Sequence, residues 1–224
     1  MIPIKVFLET GKKKAFTGAV DWPGWCRSGR DEESALRVLL DCGPRYARVL
    51  QDAGVGFQPP VDVSGFSVIE RHAGNITTNF GAPDIILDAD REPLDRAEFE
   101  RLRSVLLACW RAFDQAVEKA EGRELQKGPR GGGRDLDRIL DHVLGADQSY
   151  LSRIAWKHKI GGDDPAGEIA RMRDSIQKAL DAAMSDGLPE QGPRGGVIWP
   201  LRFYVRRAAW HILDHAWEIE DRIV

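Results

Sequence analysis

A chain of 224 residues, 42% hydrophobic and 30% charged, is long enough to bury a sizeable core and too apolar for wholesale disorder. Its net charge of −3 and pI near 6.0 give no broad positive field, which argues against nucleic acid or an anionic membrane as partner. Cys26, Cys42 and Cys109 are odd in number and never in Cys-x-x-Cys spacing, so free thiols in a reducing compartment are expected. With no secretory leader and no membrane-length apolar run in the sequence, the expected location is the cytoplasm.

Up to about residue 92, short β-branched and aromatic segments alternate with Gly and Pro. Segments 4–9, 15–20, 65–72 and 85–88 are predicted to be strands of a small antiparallel sheet. One helix is predicted over 31–52. Asp31 suits its cap, Glu32, Glu33 and Ser34 its first turn, and Leu36, Leu39, Leu40 and Val49 its apolar stripe. Gly54 follows as a stop signal. Lys12-Lys13-Lys14 reads as a solvated turn. Residues 1–92 hold 11 Lys+Arg against 13 Asp+Glu, a net of −2 that offers no basic surface.

Beyond Pro93 the period changes to 3.6. Helices are predicted at about 95–121, 135–157, 166–186 and 200–223, the inventory of a four-helix bundle. The predicted organisation is therefore an α+β domain over 1–92, followed by an all-α domain over 93–224. Five of the seven tryptophans fall in the second part and read as core and rim packing, with one or two free to wall a pocket. Cys42 and Cys109 read as buried small apolar groups. Pro-Arg-Gly-Gly occurs twice, at 129–132 and 193–196, each time shortly before a helix. Arg130 and Arg194 are candidate anion-binding residues, since Gly-rich backbone plus a guanidinium can hold an anion. The plainer reading makes both segments simple connections.

The chain contains five histidines. His211 and His215 stand four apart on the last predicted helix, one turn from each other on one face. His142 lies on the second helix of the predicted bundle. Three neutral imidazoles suit Zn, Ni or Fe, with Cu also within their chemistry, and leave positions open for water or substrate. Asp214 and Glu218 each follow a pair member by three residues, and either is placed to accept the imidazole's other N–H. One turn before His142 is Arg138, and the adjacent Asp141 points off its face, so a partner for His142 must come from elsewhere. His72, in a strand-like run, and His158, beside Lys157 and Lys159, are read as non-ligands. No Ser-His-Asp order, P-loop or dinucleotide glycine pattern is present.

With His142 in Ile139-Leu140-Asp141-His142-Val143-Leu144 and the run Arg207-Ala208-Ala209-Trp210-His211-Ile212-Leu213-Asp214-His215, residues 95–224 resemble a DinB-like (DinB/YfiT) metalloenzyme domain. That resemblance implies a four-helix bundle with an up-down-down-up path. It also implies a metal held by a histidine on the second helix, matched by His142, and by a pair near the end, matched by His211 and His215. It further implies a transferase or isomerase that uses a small thiol cofactor. Phe16 to Trp25, then Gly29-Arg30-Asp31-Glu32-Glu33-Ser34-Ala35-Leu36, resemble a HicB-like domain over residues 3–55. This implies a small α+β fold of the kind found in toxin–antitoxin pairs. Three functions follow as expectations: thiol-dependent transfer at a metal, metal-assisted hydrolysis, or a non-enzymatic binding or regulatory module. The expected partner is a small-molecule substrate, with a homodimer as a further possibility.

Overall fold

The computed structural model describes residues 3–127, 133–161, 164–192 and 196–224. Strand β1 (Ile4–Thr10) buries Val6, Phe7 and Leu8 together, so both of its faces are covered. Both of its edges are paired as well. It lies antiparallel to β2 (Ala15–Ala19) and parallel to β4 (Phe66–Ala73), and β3 (Cys26–Gly29) extends β2, giving the order β3-β2-β1-β4.

The sheet is thus mixed, which corrects the antiparallel expectation. Alternation along a strand carries no information about its direction; the connection decides it. A tight turn makes β1 and β2 antiparallel. The chain returns to β4 only after the long helix α1 (Glu32–Leu50), a crossover that brings it back parallel. Strand β3 has no β-branched residue and was not anticipated.

Segment 85–88 is not a strand. Side-chain carboxylates take the place of a ladder there. Glu9, fully buried, accepts from the backbone N–H of Asp84 and of Ile85 and from the hydroxyl of Thr78. Glu70 accepts from Asp88 and Ala89, and Asp90 from Leu87. The backbone N–H groups among these donors are thereby satisfied without a strand partner. Thr78 lies on a short helix, α2 (Ile76–Phe80), that sequence periodicity had not marked.

Helix α1 begins as expected. Asp31 accepts from the Ser34 N–H, and Ser34 returns the bond in a capping box. Its buried face is Ala35, Leu39, Gly43, Tyr46 and Leu50. This face meets Trp25, whose Nε1 donates to the Leu39 carbonyl at 2.9 Å and whose ring stacks on Tyr46 at 5.7 Å between centroids.

Four long helices follow: α3 (Arg96–Ala120), α4 (Leu136–Ser152), α5 (Pro165–Asp186) and α6 (Leu201–Arg222). Their ion pairs and end contacts fix their directions. Glu98 pairs with Arg202 at the two starts, and Leu125 bridges Ile223 beyond the two ends, so α3 and α6 run parallel. Trp199 N–H donates to Arg153, and Arg222 donates to the Arg134 carbonyl, so α4 opposes α6. Asp114–Arg173 and Arg103–Asp181 set α5 against α3. Helix α4 ends earlier than expected, at Ser152 rather than near 157. Ala155 adopts a left-handed φ of 59°, and the chain past it lies against α4 and α5 through Gln148–His158 and His158–Glu168 hydrogen bonds.

The sheet ends with β4 at Ala73 and the long helices begin with α3 at Arg96, and one apolar core continues across the change. Val6, Trp25, Leu39 and Tyr46 share one buried cluster with residues of α3, α4, α5 and α6. Gly24 shows how close the approach is. Its φ is 91°, and a Cβ there would meet Cys109 Sγ at 3.1 Å and Leu213 Cδ2 at 3.3 Å. Arg206 of α6 reaches the opposite face of the sheet. It pairs with Asp90 at 2.5 Å, donates to the Ile85 carbonyl and lies over the ring of Phe7, with both charges buried.

Removing one partner of such a pair strands the other charge. Arg206→Met should therefore cost about 3–5 kcal/mol in denaturant unfolding, while Arg206→Met with Asp90→Asn should recover more than half. Equal losses in the two proteins would mean that the pair contributes only packing.

Candidate metal centre

Because α4 and α6 are antiparallel neighbours, a residue midway along one meets a residue midway along the other. His142 thereby faces His211, and His215 joins from the next turn of α6. Each offers one ring nitrogen, and those atoms all lie within 4.8 Å of one another. The Nε2 atoms of His142 and His211 are 3.1 Å apart. Two imidazoles on one tetrahedral ion, with metal–nitrogen bonds of about 2.0–2.1 Å, hold their nitrogens roughly 3.3 Å apart, so this spacing fits a shared ion.

The electrostatics fit as well. Burial pushes the His211 imidazole well below its ordinary pKa, helped by the positive charges that His215 and Arg207 would place nearby. Burial, then Arg134, lowers that of His142. A metal ligand must be neutral imidazole, and the site favours that form. Among the described residues no cysteine or carboxylate completes the cluster as a fourth ligand. Three histidines with open positions are the pattern of a site that keeps room for water or substrate.

Of the two acids considered for orienting these rings, one does so. His215 Nδ1 lies 2.8 Å from Glu218 Oε2, which leaves Nε2 to face the other histidines. Glu218 is clamped in turn by Arg222 at 2.5 Å. The hydrogen bond from His215 holds its carboxyl below the usual carboxylate range, against the effect of burial. Asp214 turns away. It pairs with Arg27 of β3 at 3.2 Å, and Arg27 lies 3.8 Å above the Trp217 ring. A residue three positions after His211 is near its face, but here a strand residue reaches it first. His211 Nδ1 is buried and has no hydrogen-bond partner among the described residues.

His72 and His158 are elsewhere, bonded to Glu70 and Glu168 respectively. Arg130 and Arg194 lie outside the described residues. The described residues that flank those segments, Arg134 and Trp199, stand at opposite ends of α4, as its antiparallel packing on α6 requires.

Several polar residues of α4 and α6 had no sequence signal beyond their helical spacing. Tyr150 meets His211 edge-on at 5.6 Å between centroids, and Arg207 is one turn before His211 on α6. Asp147 of α4 is buried, and burial raises its carboxyl to about 7, with Arg173 pulling weakly the other way. Comparison of the chain with protein-family models, with curated proteins and with solved structures finds no match.

Elemental analysis should find one divalent metal per chain in the wild type. His142→Ala, His211→Ala and His215→Ala should each lose it while keeping the helical circular dichroism spectrum. Glu218→Gln should weaken metal affinity by about 10–100-fold, as loss of an orienting carboxylate does. Wild-type metal content in all three alanine variants would remove the site.

Asp147 gives a test of pH dependence. A carboxyl raised in the folded state contributes full stability below its unfolded value, and this is lost as pH rises toward about 7. Between pH 5 and 8 the wild type should lose about 2 kcal/mol that Asp147→Asn does not lose. Parallel stability profiles for the two proteins would show that Asp147 is ionised throughout.

Proposed function

We propose that this chain is a metal-dependent enzyme of the DinB-like kind, with α3 to α6 forming its four-helix bundle and a small thiol as co-substrate in a transfer or isomerisation. The single observation that carries this reading is the convergence of His142, His211 and His215 to within 4.8 Å, drawn from two helices. The helix directions support it: α4 and α5 both oppose α3 and α6, which is the path the resemblance implies. Zn, Ni or Fe suits the donor set.

A bound divalent ion would supply Lewis acidity, holding a thiol as thiolate near neutral pH. The protein's own contribution is positional. Glu218 fixes the His215 ring, Arg222 fixes Glu218, and burial keeps His142 and His211 neutral.

Hydrolysis is the second reading: the ion would ionise a bound water by the same Lewis acidity, and a free carboxylate beside it would serve as acid–base group. Among the described residues the carboxylate that touches a ligand is Glu218, already engaged by His215 and Arg222. The engagement of that carboxylate leaves no free acid–base group beside the ion among the described residues, and this favours transfer. We further propose that the HicB-like part serves the fold more than nucleic-acid binding. Its charge balance offers no basic surface, and its Trp25 and Val6 belong to the shared core.

The reading is tested on full-length protein loaded with zinc or nickel. Thermal shift with 2-mercaptoethanol and cysteine should show stabilisation that a chelator abolishes, as expected for ligands that favour the folded, loaded state. A loaded protein that ignores thiols but cleaves activated esters would establish the hydrolytic reading instead.

A further inference from the structure

Beside the histidines, α6 carries a second group whose chemistry is unsatisfied. Arg207 is only 7% exposed, and its Nε and Nη1 are buried without a hydrogen-bond partner among the described residues. Arg206, its neighbour in sequence, faces the sheet and donates through Nε and Nη2 to Asp90 and Ile85. The contrast between the two arginines is one of surroundings, since both are equally long and equally charged.

Arg207 precedes His211 by four residues, which puts both on one face of the helix. Its guanidinium carbon lies 5.3 Å from the ring centroid of Tyr150 and 4.8 Å from that of Trp210. The same two rings flank His211, at 5.6 and 6.2 Å between centroids. Guanidinium and metal-site imidazole therefore share two aromatic walls. On the preceding turn, Tyr204 presents a buried hydroxyl that also lacks a partner among the described residues.

Aromatic faces offset part of the desolvation of a cation, but they satisfy none of its in-plane N–H groups. Leaving such donors empty in a buried place is costly, so a site that holds them there is built for an acceptor. Nε shares one edge of the arginine fork with Nη2, Nη1 shares the other edge with it, and either edge matches the two oxygens of a carboxylate.

We propose that Arg207 binds the carboxylate of the molecule that engages the His142–His211–His215 centre, with Tyr204 as a further donor. The substrate class is then a small carboxylic acid whose other end reaches the metal. The inference rests on the metal reading given above, and the test separates the two.

The protein is loaded with Co(II), and binding of 3-mercaptopropionate and of 2-mercaptoethanol is followed by the thiolate-to-cobalt absorption band. The two probes carry the same thiol and differ in the carboxylate. Wild type should bind the acid about tenfold more tightly, the scale of one good charged bidentate contact. In Arg207→Gln and in Arg207→Lys, which keeps the charge but not the fork, that preference should fall to about twofold or less, with affinity for 2-mercaptoethanol unchanged. Circular dichroism identifies a variant that has not folded. A preference that survives in both folded variants overturns the proposal and leaves the metal reading standing.

If cobalt is not taken up, the metal reading fails. The arginine is then tested in metal-free protein by the 15N-detected Nε–H signal that is absent from Arg207→Lys. Movement of that signal on adding propionate supports an anion site at Arg207. A signal unmoved by propionate overturns it.

Discussion

Helix α6 must be buried on more than one side, and the rest of the molecule is arranged around that requirement. Phe203, Val205, Ala209, Trp210, Ile212, Leu213, Ala216 and Ile219 leave it no wholly polar face. A helix that is apolar most of the way round cannot rest on a surface and has to be surrounded. The sheet meets it through Phe7 and Phe16, α3 runs parallel beside it, and α4 closes on the side where the histidines stand. The histidine cluster is a consequence of that enclosure: His211 and His215 are buried because the whole helix is, and His142 is the residue that α4 brings opposite.

The polar groups within this enclosure fall into two kinds. Most are satisfied in full. Glu9, Glu70 and Asp90 organise the segment after α2 by accepting its backbone N–H groups, and Arg206 ties that segment to α6. Glu218 and Arg222 do the same for His215. The second kind comprises Tyr204 Oη, Arg207 Nε and Nη1 and His211 Nδ1 on α6, with Arg173 Nη2 on α5, all buried without a hydrogen-bond partner among the described residues. Four of these five atoms lie within two turns of α6 beside the histidine pair, and those of Arg207 and Tyr204 are the ones that the proposed ligand would satisfy.

The N-terminal part is therefore more than an appendage. Trp25 and Tyr46 join the cluster that contains α3 and α6, Arg27 holds Asp214, and Arg45 pairs with Glu220 and Asp221. These contacts brace the C-terminal half of α6 from the side opposite α4. The orientation of the histidine pair is thus supported from both directions.

The sequence by itself determined the local features. The 3.6 period placed α1, α3, α5 and α6 within a few residues, because an amphipathic stripe and a capping residue act over one or two turns. The i,i+4 spacing put His211 and His215 on one face for the same reason, and scarcity of histidine drew attention to His142. What required the tertiary structure was everything that depends on direction or on a remote neighbour. The parallel pairing of β1 with β4 depends on the crossover through α1. The loss of the expected strand at 85–88 depends on carboxylates from β1 and β4. The early end of α4 depends on a left-handed Ala155 that no glycine or proline announces. Asp214 and Glu218 have the same spacing from a histidine, yet only Glu218 turns inward, because Arg27 comes from a strand 187 residues away to claim Asp214. Helical spacing states which residues share a face, and packing alone decides what that face meets.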